Sequence, residues 1–223
     1  MDMAVSRNGH DAPRADAEPA APTLPRHIAL INADDGTRTA TALILDDFDE
    51  AFAVYAHHDV SLDAFAPQID RVMPGSLDTD HERSHVCFDT AVLGCALCDG
   101  NSDEHVADLI RVLVKNGSLG KGARLYAIVS TTRYEPDYAI ASFTRLEAIC
   151  SEYRLAWCGG LAVGASDMIP ATAEMPRMGM MRRRLSEATD MLILAVRCSA
   201  DAGTIMVPAS VPRFVYRLFN SKL

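Results

Sequence analysis

The stretch TAVLGCALC at residues 90–98 constrains the fold more than any other part of the sequence, because it is almost wholly apolar. A strand that is apolar on both sides belongs inside a parallel sheet that helices cover on both faces. Three further strand-like runs, at residues 27–32, 124–131 and 155–163, have a similar apolar character. Segments with apolar residues every three or four positions lie between these runs, as on one face of a helix. This alternation predicts an α/β domain with a mostly parallel sheet and right-handed crossovers.

The charge balance and the lack of a long apolar stretch exclude two classes of partner. The chain has 223 residues, of which 21 are Lys or Arg and 30 are Asp or Glu, for a formal charge of -9. Binding to nucleic acids and to anionic membranes depends on an excess of basic residues. No apolar stretch approaches the roughly 20 residues that span a bilayer. We therefore expect no nucleic-acid partner and no membrane partner.

The first 25 residues differ in composition from the rest of the chain, with four prolines, many alanines and no hydrophobic period. Such a segment buries too little apolar area to offset the entropy of ordering it. We predict a disordered tail at residues 1–25 and one domain at residues 26–223, whose size suits a single core. The tail also lacks the positive and then apolar pattern of a secretion signal, so the expected location is the cytoplasm.

The first strand-like run leads through a polar turn into a helix. Apolar residues step by three and four from position 40 onward, and Thr37 or Thr39 has a side chain that caps helices. Residues 60–65, VSLDAF, alternate apolar and polar side chains, which predicts a second strand at an edge. Residues 66–83 contain prolines, a glycine and many acids, which predicts a loop with at most a short helix. The sheet is therefore predicted to contain five strands.

Three loops are candidates for a ligand site, because ligands of an open α/β sheet bind beyond the carboxyl ends of its strands. Loops one, two and three span residues 33–41, 95–103 and 130–136. Loop one opens a helix, whose N-terminus favours an anion such as a phosphate. Candidate donors there are the hydroxyl groups of Thr37, Thr39 and Thr41. Asp34 and Asp35 bring negative charge into the same turn. An equal alternative to an anion site is therefore a turn that is capped only by its own carboxylates.

The second half of the chain carries motifs of a known family. Tyr134 and Glu135 match the end of an Asn-Cys-Gly-Phe-Tyr-Glu motif that follows a strand. A Trp-Gly-Gly-Gly-Leu type of strand and its glycine-rich loop are matched by Trp157, Gly159, Gly160, Leu161, Gly164 and Met168. The C-terminal segment of the family is matched by Pro212, Arg213, Phe214 and Tyr216. By these motifs the chain resembles NAD(P)H-dependent FMN oxidoreductases of flavodoxin-like fold. The resemblance implies a doubly wound, five-stranded parallel sheet of order 2-1-3-4-5 with helices on both faces.

The same resemblance implies a function and a site. The function is hydride transfer from NAD(P)H to FMN and onward to a small-molecule electron acceptor that the sequence does not identify. The corresponding cofactor-binding residues are Asn32, Asp34, Gly36, Thr37, Thr39, Thr41, Ala96, Leu97, Cys98, Thr131, Thr132, Arg133, Tyr134 and Glu135. Among them, Arg133 is placed to counter the phosphate or pyrimidine charge, and Tyr134 to offer a stacking face.

All three loops depart from the pattern of that family. Where the family has Asn-Gly-Ser-Pro-Arg for the flavin phosphate, this chain has Asn32 followed by Ala33 and Asp34. Residues 96–98, Ala-Leu-Cys, lack the aromatic side chain of a Pro-Leu-Tyr second loop, and loop three begins with Ser130 in place of Asn. Two hypotheses follow. The chain is a flavin oxidoreductase with weakened or altered FMN binding, or a flavodoxin-like binding or interaction module that has lost its flavin.

Two short motifs raise redox and metal hypotheses. Cys95 and Cys98 have the C-x-x-C spacing of a redox pair, but a strand places residues three apart on opposite faces, which favours two separate buried thiols. The stretch HERSHVC at residues 81–87 lacks the second pair of ligands that a zinc site requires, which favours histidines in a solvated loop. We therefore expect no metal site.

A basic and methionine-rich region precedes the last long helix. Its members are Met175, Arg177, Met178, Met180, Met181, Arg182, Arg183 and Arg184. The arginines suit an acidic partner or the 2′-phosphate of NADPH, but a solvated face is the usual role of such a charge run. The methionines suit the core or a contact between subunits. Together with the resemblance, they favour a homodimer.

Overall fold

Strands and helices alternate along the chain. The computed structural model describes residues 24–34, 39–58, 67–72, 86–97 and 102–220. The strands are β1 (His27–Asn32), β2 (Gln68–Val72), β3 (Phe88–Leu97), β4 (Leu119–Thr131), β5 (Ala156–Val163) and β6 (Thr204–Val207). The helices are α1 (Ala40–His58), α2 (Ser102–Lys115), α3 (Ile140–Tyr153), α4 (Arg183–Arg197) and α5 (Arg213–Asn220), with short 3-10 turns before α3 and α4.

The strands form one parallel sheet in the order β2-β1-β3-β4-β5-β6. The first strand has a neighbour on each side, so Ile28 lies opposite both Ile69 and Thr90. The chain therefore starts inside the sheet, builds one edge and then returns past β1 to build the other half. This confirms the doubly wound parallel sheet. The direction of strand addition reverses between β1 and β3, which is where sheets of this kind bind ligands.

Helices cover both faces of the sheet because side chains alternate along each buried strand. In β1, Ile28 and Leu30 pack toward α1 and α4, whereas Ala29 and Ile31 pack toward α2 and α3. The first face is completed by helix residues such as Phe48, Phe52, Leu192 and Val196, and the second by Ile110, Leu113, Phe143 and Leu146. Among the described residues, no helix combines the length and apolar composition needed to cross a bilayer.

The number of strands and the position of the second strand correct the expectations from the sequence. The predicted strand at residues 60–65 lies outside the described residues, and β2 instead occupies Gln68–Val72 in a stretch predicted to be a loop. It is an edge strand with Asp70 and Arg71 on it, so its composition is that of a polar loop. The prediction of five strands is wrong because β6 adds a sixth. At four residues, β6 is too short to show a period.

A close approach between two central strands depends on a glycine. A Cβ atom at Gly160 of β5 would lie 2.1 Å from the backbone oxygen of Ala127 in β4. This is far below van der Waals contact, and neither backbone can withdraw without breaking the pairing between the two strands. The glycine matched by the family motif at this position is therefore a packing requirement of the sheet.

Replacing this glycine tests the described sheet. We expect Gly160→Ala to lower the free energy of unfolding by about 3 kcal/mol, because the added methyl group displaces paired backbone. Gly120→Ala in β4 is the matched control, since its Cβ atom would lie at an ordinary 3.5 Å from Cys87 Sγ. The control should change stability by less than about 1 kcal/mol. Urea denaturation measures both values, and equal small effects would contradict the described packing of β4 on β5.

Candidate functional site

The three candidate loops meet at the carboxyl edge of β1, β3 and β4. Oδ1 of Asp34, in loop one, accepts a hydrogen bond of 2.6 Å from the backbone N–H of Ala96, in loop two. The hydroxyl groups of Thr41 and Ser130 lie 2.9 Å apart and join the start of α1 to the end of β4. The structure thus brings together residues that lie far apart in the sequence, as the parallel sheet implies.

The Asp34 carboxylate is held by the turn that follows β1. The backbone N–H of Ala33 donates to the Gly94 carbonyl oxygen at 2.8 Å, and the N–H of Asp34 donates to Asn32 Oδ1 at 3.2 Å. These bonds direct the Asp34 side chain across the gap to loop two. Its second oxygen, Oδ2, is buried and has no hydrogen-bond partner among the described residues. An unpaired acceptor oxygen therefore lies at the end of β1.

The threonines of loop one serve the fold where the structure describes them. Thr39 caps α1, because its hydroxyl oxygen accepts from the Ala42 backbone N–H at 3.1 Å. Thr41 is fully buried beside Ser130, and a Cβ atom at Gly94 would lie 2.4 Å from its methyl group. Gly94 in β3 therefore makes room for the Thr41 side chain. Two other predicted site residues, Gly36 and Thr37, lie outside the described residues.

Loop two begins with a buried thiol. Burial raises the pKa of Cys95 to about 12, and the nearby negative charge of Asp34 acts in the same direction. The thiolate that redox or nucleophilic chemistry requires is therefore disfavoured. Ala96 and Leu97 are half-buried at the end of β3, and Cys98, the other half of the C-x-x-C motif, lies outside the described residues. The structure does not describe a redox pair at this position.

Loop three follows the end of β4, and its first polar residues contact neighbours that are close in sequence. Thr131 Oγ1 accepts from the Arg133 backbone N–H at 3.2 Å, which fixes a tight turn. The Arg133 guanidinium lies over the ring of Tyr138, 4.5 Å from its centre. Both Thr132 and Arg133 are exposed. Arg133 is therefore an exposed side chain whose guanidinium packs on Tyr138.

The C-terminal segment covers the remainder of loop three. Tyr134 donates its hydroxyl hydrogen to the Val211 carbonyl oxygen at 2.9 Å, and its ring centre lies 5.5 Å from that of Tyr216. Arg213 of α5 lies over the Tyr134 ring at 5.4 Å and forms an ion pair of 3.0 Å with Glu135. The Tyr216 hydroxyl donates to the carbonyl oxygen of Thr132. The ring of Tyr134 is therefore covered by the chain's own C-terminal segment.

Sequence reasoning missed this cover over loop three. Residues 134–135 and 212–216 were singled out separately as family motifs, and no local pattern places one upon the other. The sequence signal for this contact was the pair of residue types in each motif. The first motif contains a Tyr and a Glu, and the second contains a Tyr and an Arg that can pair with them.

No metal centre is formed by the side chains that the structure describes, because no three His, Cys, Asp or Glu groups gather there. The stretch at residues 81–85, with both histidines of the proposed zinc motif, lies outside those described ranges. The metal hypothesis therefore gains no support.

Comparisons with known proteins give likenesses of fold alone. No protein-family model matches the chain, and neither does any curated protein. An oxidoreductase from Corynebacterium diphtheriae is similar at 14% identity over 81% of this chain and 96% of its own, with a TM-score of 0.44. The Trp repressor binding protein from Bacillus subtilis has 12% identity over 67% and 98%, with a TM-score of 0.40. An NADPH-quinone reductase from P. pentosaceus has 14% identity over 78% and 97%, with a TM-score of 0.38. Similarity at this level carries no conclusion about activity.

The described residues do not fit FMN in the manner that the resemblance implies. FMN requires a site for a phosphate dianion, a flat apolar slot and donors for its ring carbonyls. Asp34 puts a carboxylate where the family has a serine for the phosphate, and it occupies the Ala96 N–H that would serve as a ring donor. Tyr134, the stacking candidate, is packed under the C-terminal segment.

The raised pKa of Cys95 predicts that its thiol reacts slowly with alkylating reagents. At about pH 8.5, iodoacetamide should alkylate Cys95 in the folded protein far more slowly than the exposed Cys198, because burial disfavours the Cys95 thiolate and shields its sulfur from the reagent. Peptide mass spectrometry of timed samples measures both rates, and unfolding in urea should make them similar. Equal rates in the folded protein would contradict the buried environment described for the end of β3.

Proposed function

We propose that this chain is a flavodoxin-like binding module whose loops no longer hold FMN. The observation that carries the proposal is the hydrogen bond from the Ala96 backbone N–H to Asp34 Oδ1. In this arrangement, loop one contributes an acceptor to the site and takes away a donor that loop two would otherwise offer. Such a site disfavours a phosphate and favours a ligand that carries its own N–H or O–H groups.

Electrostatics support this preference. Two like unit charges about 4 Å apart near a protein surface repel each other by about 4 kcal/mol. A phosphate placed as in the resembling family would meet the Asp34 carboxylate, whose oxygen Oδ2 has no partner among the described residues. A hydroxyl or amino group would instead satisfy that oxygen, and leaving a buried acceptor unpaired costs about 1–3 kcal/mol.

The competing function is an NAD(P)H-dependent flavin oxidoreductase. The family motifs favour it, and so does the convergence of the three loops at the reversal in strand order. In that case the FMN would supply the hydride chemistry, and the acceptor would be a small molecule. The two functions differ in one direct observable, which is whether the purified chain takes up FMN.

Restoring the family's first loop tests the proposal. We expect the wild-type chain to leave FMN fluorescence and absorbance unchanged, and the double variant Ala33→Gly, Asp34→Ser to bind FMN at least about tenfold more tightly. The expected gain arises because the variant removes a negative charge and releases the Ala96 N–H. Asp108→Ser on the exposed side of α2 is the matched loss of a carboxylate and should leave FMN affinity unchanged.

The result that would contradict the proposal is equally direct. A wild-type chain that is purified yellow, with about one FMN per chain, and bleaches on addition of NADPH would establish the oxidoreductase. Circular dichroism and thermal unfolding of each variant verify that a change in binding does not arise from a loss of the fold.

A further inference from the structure

A groove between α1 and α4 leaves apolar side chains exposed on the outer face of the molecule. Its volume is about 320 Å³, and its lining includes Tyr55 of α1 and Met191, Ile193 and Leu194 of α4. Met191 and Leu194 are 58% and 59% exposed, and Tyr55 is exposed as well. An exposed apolar residue that stands alone is ordinary, but neighbouring ones around a groove indicate a contact surface. None of the residues that line this groove belongs to loops one to three.

The charged residues that line the groove have partners within the chain. Asp190 forms an ion pair of 3.0 Å with Arg177, and Glu187 forms one of 2.8 Å with Arg183. The Arg197 guanidinium lies over the aromatic ring that α1 contributes to the groove, 5.8 Å from the ring centre. These contacts balance the charges along the groove, so they favour an apolar partner surface over a strongly acidic or basic one.

The two ends of α4 carry opposite charges that do not meet within one chain. Arg184 lies exposed in the first turn of α4, where the helix dipole disfavours a cation and where the turn contains no acidic residue. Asp201 lies exposed shortly after the end of the helix at Arg197. A helix of 15 residues is about 22 Å long, so Arg184 and Asp201 are too far apart to form an ion pair. A partner that brings a carboxylate to the first turn of α4 would therefore be stabilised there.

The pattern of residues along α4 matches a second copy of the same helix that runs in the opposite direction. Met191 and Leu194 are placed symmetrically about the point between residues 192 and 193, and so are Arg184 and Asp201. A two-fold axis through that point puts Met191 beside Leu194 of the second copy and Arg184 beside Asp201 of the second copy. Each contact then occurs twice, and the negative pole of one helix lies near the first-turn arginine of the other. The surface is therefore self-complementary in its apolar contacts and in its charge.

We propose that this chain forms a homodimer through the groove between α1 and α4, with the two copies of α4 antiparallel. The face of one helix pair is small for a specific interface, so the expected dissociation constant is about 10 µM. The dimer goes beyond the proposed function of loops one to three and does not depend on whether the chain binds FMN. It also places the contact away from the methionines at positions 175–181, none of which lines this groove.

Sedimentation velocity of the full-length chain at about 1–200 µM, with a reducing agent present, tests the interface. The wild type should pass from monomer to dimer over this range. Met191→Glu should weaken the dimer at least about tenfold, because it places a carboxylate in the apolar contact. Met180→Glu is the matched control, since Met180 is an exposed methionine outside the groove, and this variant should dimerise like the wild type. The reducing agent prevents a disulfide between exposed Cys198 side chains of two copies.

An exchange of charges tests the antiparallel arrangement. Arg184→Asp and Asp201→Arg should each weaken the dimer about tenfold, because each variant brings like charges together at two symmetric contacts. The double variant restores opposite charges, so its dissociation constant should return to within about threefold of the wild-type value. Thermal unfolding of every variant verifies that a change in dimerisation does not arise from a loss of the fold.

Three results would overturn the proposal. The first is a wild-type chain that stays monomeric at the highest concentration, which would indicate a different occupant of the groove, such as the N-terminal segment of the same chain. The second is a dimer that persists in Met191→Glu or dissociates in Met180→Glu, which would place the contact elsewhere. The third is a double charge variant that dimerises as weakly as either single variant, which would contradict the antiparallel pairing of α4.

Discussion

Parallel pairing of β1 with β3, and of β3 with β4, places three strand ends at one edge of the sheet, and the candidate site depends on this constraint. The continuous buried runs of these strands are apolar, and the charged side chains of β3 and β4 precede those runs. Two glycines permit close approaches in the sheet, since Gly94 of β3 makes room for the Thr41 side chain and Gly160 lets β5 pair with β4. Once the strand ends converge, a side chain at the end of one strand can reach the backbone of the next. Asp34 does so, and its hydrogen bond with the Ala96 backbone N–H places an acceptor side chain between the ends of β1 and β3.

The edge is closed from two sides by different kinds of interaction. On the β1 side, the Asp34 carboxylate bridges loops one and two and leaves one buried acceptor oxygen unpaired among the described residues. On the β4 side, Tyr134 is covered by the C-terminal segment through its hydroxyl bond to Val211 and its contact with Tyr216. The ion pair between Arg213 and Glu135 is largely exposed and therefore contributes little stability. Both closures lie at residues that the family resemblance assigns to flavin binding, and the proposal that this fold does without FMN rests on them.

Much of the sheet was predictable from the sequence, because central parallel strands have a continuous apolar composition. The predicted bounds of β1 are those observed, and β5 begins one residue later than expected. The edge strands β2 and β6 were missed, since an edge strand carries polar residues and a strand of four residues has no measurable period. The contacts that define the site were not predictable from local patterns. Asp34 and Ala96 are 62 positions apart, and Tyr134 and Val211 are 77 apart, so only the assembled sheet shows that they meet.

Hydrogen exchange of the Ala96 backbone amide shows whether its N–H is held by Asp34. By NMR, the Ala96 amide should exchange slowly in the wild type, should be unaffected by added FMN and should exchange faster in Asp34→Ala. The contradictory result is an Ala96 amide that exchanges equally fast in both proteins and becomes protected only when FMN is added.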